Sequence, residues 1–167
     1  MITDIYIGAD NGISGAMAAI SAHDGSLIAR CEMPIARARK GNEIDIRETW
    51  AWIRNATGDL PGSCVFVIEE PGGSKSAKAA ASMSGSFHAM RAMFDLNMLR
   101  WHRITPQAWQ KVMLPGCKAG DTKPRAEALA RQLWPQERWL PTVRCHKPSD
   151  GMIDAALIGE YGRRQRL

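Results

Sequence analysis

Residues 4–33 read DIYIGADNGISGAMAAISAHDGSLIARCEM. Three apolar segments alternate with two turn signals. DIYIGAD (4–10) reads as a strand that ends on Asp10, and NGISG supplies the Asn and Gly residues that tight turns use. AMAAISA (16–22) reads as a second strand. The Asp-Gly pair in HDGS is a hairpin signal, and LIARCEM (27–33) completes a three-stranded antiparallel meander. The first strand of that meander therefore delivers a carboxylate to its own end.

Beyond the meander, strands and helices alternate. Within EIDIRETWAWIRNAT (43–57), Ile46, Trp50 and Ile53, with Trp52 alongside, have helical spacing, and Gly58 and Pro61 end the helix. CVFVIE (64–69) reads as a fourth, fully buried strand stopped by Pro71, and EPGGSKS is a Gly/Ser-rich loop. Residues 77–99, rich in Ala and Met, predict a long helix that Gly85 could interrupt. RWHRIT predicts a short strand. TPQAW then opens a short helix with Thr105 as cap and Pro106 at its first position. A helix over 123–134 has Pro124 at its start and Pro135 just past its end. Pro148-Ser149 opens the last helix, and PGCKAGDT (115–122) is the best candidate for a mobile loop. The order β-β-β-α-β-α-β-α-α-α predicts an α/β fold, a mixed five-stranded sheet with helices on both faces, in one domain over residues 1–167.

Composition narrows the classes. The chain has 167 residues and 45% hydrophobic content, with no apolar run of the ~18 residues a membrane span needs. Its N-terminus lacks the basic region of a signal peptide, so a cytoplasmic location is expected. Cys31, Cys64, Cys117 and Cys145 show no CxxC spacing. Cys117 with Cys145-His146 fits no common zinc pattern, and reduced thiols are the expectation. The six tryptophans fall mostly on apolar helix faces and read as core. Net charge is +5, with a pI near 9.3. The basic residues cluster in ARARK, RWHR, VRCHK and GRRQR, a distribution that favours a polyanion such as nucleic acid.

The acidic residues are more specific. Asp10 ends the first strand, and Glu69 and Glu70 end the fourth. Asp150 and Asp154 lie one turn apart on the last helix and share a face. Asp154 stands among Met152, Ile153, Ala155, Ala156, Leu157 and Ile158. A buried lone carboxylate is costly, and several together repel. A hard divalent cation, Mg²⁺ or Mn²⁺, resolves both problems, and a pair of such ions is the usual device for hydrolysing a phosphodiester. The plainer alternative makes Asp150 a helix cap and leaves the glutamates solvated. Strand alternation separates Glu69 from Glu70, but both faces of CVFVI are apolar, so periodicity does not choose between them.

IGADNGISGAMAAI resembles the first strand–turn–strand of the ribonuclease H-like superfamily. VIEEPGGS resembles the second acidic motif of RuvC-like Holliday junction resolvases. RITPQAWQKVM, TKPRAEALARQLWP and DGMIDAALIGEYGRR are similar to the C-terminal half of phage and organelle members. The resemblance runs in order over nearly the whole chain. It implies a metal-binding, catalytic tetrad of Asp10, Glu69, Asp150 and Asp154, and it selects Glu69 over Glu70. Asp150 and Asp154 are four apart, where cellular bacterial resolvases space this pair by three. Asp150 also occupies a position that varies in the family.

Lys123 matches a basic residue that in relatives approaches the scissile phosphate. Branched DNA, read by shape rather than sequence, is the implied partner. Lys75, Lys78, Lys118, Lys123, Arg125 and Lys147 are the candidate DNA contacts, with Phe87 and His88 as candidates for contact with unstacked bases. Relatives act as two-fold dimers, and AKAAASMSGSFHAMRAMF is the candidate dimer helix. The implied activity is Mg²⁺-dependent resolution of four-way junctions by paired symmetric nicks, with two ions per site when DNA is bound. The alternative is a branched-DNA binding protein or relaxed nuclease acting on flaps and forks.

Overall fold

The fold comes from a computed structural model that describes residues 4–38, 41–58, 60–72, 76–118 and 120–167. The meander forms as β1 (Ile5–Asp10), β2 (Ala16–Ser21) and β3 (Leu27–Glu32). A small hairpin follows, β4 (Ile35–Ala38) with β5 (Gly41–Ile44), and then α1 (Ile46–Ala56). After a single 3₁₀ turn come β6 (Cys64–Glu69), α2 (Ala77–Leu96) and β7 (Arg100–Ile104). The chain continues through α3 (Pro106–Met113) and α4 (Thr122–Leu133) and closes with α5 (Asp150–Gln165).

The main sheet has five strands in the order β3-β2-β1-β6-β7. β1 is antiparallel to β2 and parallel to β6, and β6 is parallel to β7. Helices cover both faces, as expected. On one side Tyr6, Ile20, Val65 and Val67 pack with Trp109, Trp139, Leu157 and Ile158 beneath α3, α4 and α5. On the other, Ile5, Ile7, Phe66 and Ile68 pack with Ile53, Met90 and Phe94 beneath α1 and α2.

The sheet and α5 meet backbone to backbone. A Cβ on Gly8 would lie 2.1 Å from the Ala155 carbonyl oxygen and 2.3 Å from the Gly159 amide nitrogen. Two glycines facing each other thus let the helix lie directly on β1.

Three expectations are corrected. Residues 43 and 44 belong to β5 rather than to a helix. The Asp45 side chain accepts from the backbone N–H groups of Arg47 and Glu48, which fixes the helix start at Ile46. Helix α2 runs unbroken through Gly85, which sits on its open face with nothing near its missing Cβ. It also stops at Leu96, where Asn97 caps it and Met98 takes a left-handed conformation.

Candidate active site

Strand parity decides which carboxylates meet. In β1, Tyr6 and Gly8 face α5, whereas Ile5, Ile7 and Ala9 face α2. Asp10, two residues past Gly8, falls on the α5 side. In β6, Val65 and Val67 face α5, so Glu69 joins them there, while Glu70 follows Phe66 and Ile68. The parallel register pairs Ala9 with Ile68, so the next residues along, Asp10 and Glu69, leave the sheet side by side. Glu70 turns instead to Arg103 of β7, with Nε 3.4 Å from its Oε2. The position of α5 thus puts Glu69, and not Glu70, on the same side of the sheet as Asp10 and Asp154.

Helix α5 supplies the other carboxylates. Ser149 caps it, its side chain accepting from the Met152 N–H at 3.4 Å. Its first turn rests on the β1–β2 turn, close enough that a Cβ on Gly151 would lie 2.9 Å from the Ser14 carbonyl. Asp154 thereby sits over the ends of β1 and β6. Asp150 stands at the exposed rim and pairs with the Lys123 ammonium at the start of α4.

The electrostatics show the convergence. Burial pushes the Asp154 carboxyl up to about 7, reinforced by the charges of Asp10, Glu69 and Asp150 and eased by Lys123. Burial likewise pushes Glu69 up to about 7. The Trp109 indole N–H opposes that shift, and the Asp10 charge adds to it. Asp10 is raised by its own burial, partly offset by the Gly12 amide. The Asp150 partner holds Lys123 above its ordinary value.

These residues pass a test of fit for a hard divalent cation. Asp10, Glu69 and Asp154 offer carboxylate oxygens only, and burial, reinforced at Glu69 and Asp154 by neighbouring negative charge, already raises their pKa values. The site is not a closed coordination shell: among the described residues, no three His, Cys, Asp or Glu side chains are gathered at ligating distance. Glu69 is held by Trp109, and Asp150 by Lys123.

Two residues that the sequence did not single out complete the site. Asn11 is buried, and its side-chain amide donates to the Glu69 backbone carbonyl, tying the ends of β1 and β6 together. Trp109, expected only as core, donates its indole N–H to Glu69 Oε2. The available signal was position: an indole in the first turn after a strand that neighbours β6.

The basic candidates fall at different places. Lys78, His88, Lys118, Arg125 and Lys147 are exposed. Lys78 lies at the rim of a groove of about 780 Å³ between the start of α2 and β5. Lys75 lies outside the described residues. Phe87 requires correction: it is 5% exposed, packed with Met90 and Phe94 and edge-on to Trp101, so its ring serves the core and does not face bases.

Two expectations follow. If these carboxylates serve the metal-dependent phosphodiester cleavage that the sequence resemblance implies, Glu69→Gln should reduce it by about 10²-fold or more, ~3 kcal/mol on the barrier. Glu70→Gln should leave most of it, as single-turnover assays would show. The second concerns pH. Glu69 and Asp154 have folded-state values near 7, above the ~4 of an unfolded carboxyl. Their contribution to stability is therefore full below pH ~4 and is lost as pH rises through ~7. In EDTA, Asp154→Asn should gain on wild type by about 2 kcal/mol between pH 5 and 8, and Mg²⁺ should close that gap in thermal melts. A pH-independent gap would refute the buried-carboxylate account.

No protein-family model and no curated protein matches the sequence. Solved structures do match in fold. The chain resembles Thermus thermophilus RuvC in complex with Holliday junction substrate at a TM-score of 0.59 and 11% identity, covering 96% of this chain and 95% of that one. A second Thermus thermophilus RuvC structure matches at a TM-score of 0.55 and 14% identity, covering 97% and 96%. With strand order β3-β2-β1-β6-β7 and helices on both faces, the chain has the ribonuclease H-like fold of RuvC.

Proposed function

We propose that the chain is a metal-dependent endonuclease that resolves four-way DNA junctions by paired symmetric nicks. The observation that supports this reading is the placement of Asp10, Glu69 and Asp154 on one side of the sheet, within electrostatic reach of Asp154, with the Lys123–Asp150 pair at the rim. The fold is shared with a protein solved on a Holliday junction.

In this reading Asp10, Glu69 and Asp154 hold the cation, with Asp150 contributing from the rim. When bound, Mg²⁺ or Mn²⁺, two ions per site with DNA present, would supply an activated water and neutralise charge building on the phosphate. Lys123 is positioned to exchange its Asp150 partner for a phosphate oxygen as DNA arrives. Lys78, Lys118, Arg125 and Lys147 would contact backbone phosphates, making affinity fall steeply with salt. His88 lies on an outward stripe of α2 with Ala81, Gly85 and Ala92, all exposed. Small residues at that spacing allow a second α2 to approach closely, which would set two sites on opposed strands in a two-fold dimer. The reaction is placed by this reading in the cytoplasm, that of the host if the chain is phage-encoded.

The test is cleavage of an immobile four-way junction, a flap, a fork and a plain duplex side by side, with Mg²⁺, Mn²⁺ or EDTA. Paired nicks at symmetric positions, confined to the junction and absent in EDTA, support the proposal. Equal cutting of flaps and forks would make it a relaxed branched-DNA nuclease. Tight junction binding without cutting in either metal would make it a binding protein.

A further inference from the structure

The TPQAW segment is more than a helix start. Ile104, the last residue of β7, pairs with Glu69. Thr105 then caps α3, its hydroxyl accepting from the Ala108 N–H at 3.1 Å, and Pro106 takes the position where a missing N–H costs nothing. Helix α3 is thus launched from the residue beside Glu69. One turn on, Trp109 is fully buried, and its indole N–H reaches Glu69 Oε2.

The backbone around Glu69 is held as well. Its carbonyl accepts from Asn11, and the next amide, that of Glu70, donates to the Ile104 carbonyl at 2.8 Å. Packing alone would not require an indole here, because any large apolar ring would fill the space. The indole adds a single donor with no acceptor, and that donor is spent on one carboxylate oxygen of a candidate metal ligand.

We infer that Trp109 is a positioning residue for cation binding: its N–H occupies Glu69 Oε2 and fixes the carboxylate so that Oε1 is the oxygen offered to a divalent ion shared with Asp10. The inference rests on reading these carboxylates as a metal site. Outer partners that orient a ligand in this way commonly account for about 10- to 100-fold in metal affinity.

The test uses the full chain with Trp109 replaced by phenylalanine and, separately, by 3-benzothienylalanine, which keeps the size and shape of indole but has sulfur in place of N–H. Mn²⁺ is the probe, and its binding is read from loss of the free-ion electron paramagnetic resonance signal. The expected result is about tenfold or more weaker Mn²⁺ binding by both variants. The benzothienyl variant should do so with its thermal midpoint close to wild type. In ¹⁵N-labelled wild-type protein, Glu69→Gln should displace the Trp109 indole N–H resonance more than the other five indole resonances. Mn²⁺ affinity of the benzothienyl variant within twofold of wild type, or an indole resonance indifferent to Glu69→Gln, would overturn the inference. Those results would leave the metal site itself standing if wild type binds Mn²⁺. Wild type that binds no Mn²⁺ at all would remove both.

Discussion

Asp154→Asn is expected to abolish junction cleavage, by at least about a thousandfold, or ~4 kcal/mol on the barrier, while junction binding survives or tightens. Asp154 is the carboxylate on which the others act: its raised pKa reflects burial first, then Asp10, Glu69 and Asp150 in turn. On the proposed reading, removing its charge removes one of the three carboxylates that would hold the cation. It also removes a negative charge that repels phosphate, so affinity in EDTA should not fall. Asp10→Asn should behave in the same way, since Asp10 shares the pocket. Gel-shift and single-turnover assays on the same junction separate the two effects. Near wild-type cleavage by either variant in Mg²⁺ would refute the site, and parallel loss of binding and cleavage would point to misfolding.

The second large effect lies away from any charge. Gly8→Ala should destabilise the protein by about 3 kcal/mol or more. The added methyl would meet backbone atoms of Ala155 and Gly159, which cannot rotate aside. Relief requires α5 to lift from β1, and Asp154 is on α5. Cleavage should therefore fall even at temperatures where the variant is folded. Gly62→Ala is the matched control: it adds the same methyl with nothing nearby, and it should stabilise by about 0.4–1 kcal/mol. Circular dichroism melts of the pair give the comparison. A Gly8→Ala protein as stable as wild type would mean that α5 is not seated as described.

The sheet was legible because its strands are short apolar runs ended by turn residues or by acids. The β4–β5 hairpin was not legible. Its pattern is interrupted by arginines, and the Asp45 cap that separates β5 from α1 lies inside what reads as a helical stretch. Glu69 and Glu70 could not be told apart by alternation because both faces of β6 are covered, and only the seating of α5 distinguishes them. Phe87 and Trp109 show the same limit from opposite directions. Each is an aromatic on an amphipathic helix. Phe87 belongs to the core without a polar contact, whereas Trp109 belongs to the core and also reaches a carboxylate. Which of the two roles an aromatic takes depends on the strand beneath it, and that is set by tertiary packing.

The seating of α5 on β1 also bears on the order in which the acidic cluster is assembled. Asp10 precedes Asp154 by more than a hundred residues in the chain. Chains are made from the N-terminus, and contacts between distant segments form late. Asp10 and Glu69 alone, on a growing chain, leave the site without the carboxylate at its centre. On the function proposed above, the candidate site is complete only once α5 has docked on β1 and brought Asp154 to Asp10 and Glu69.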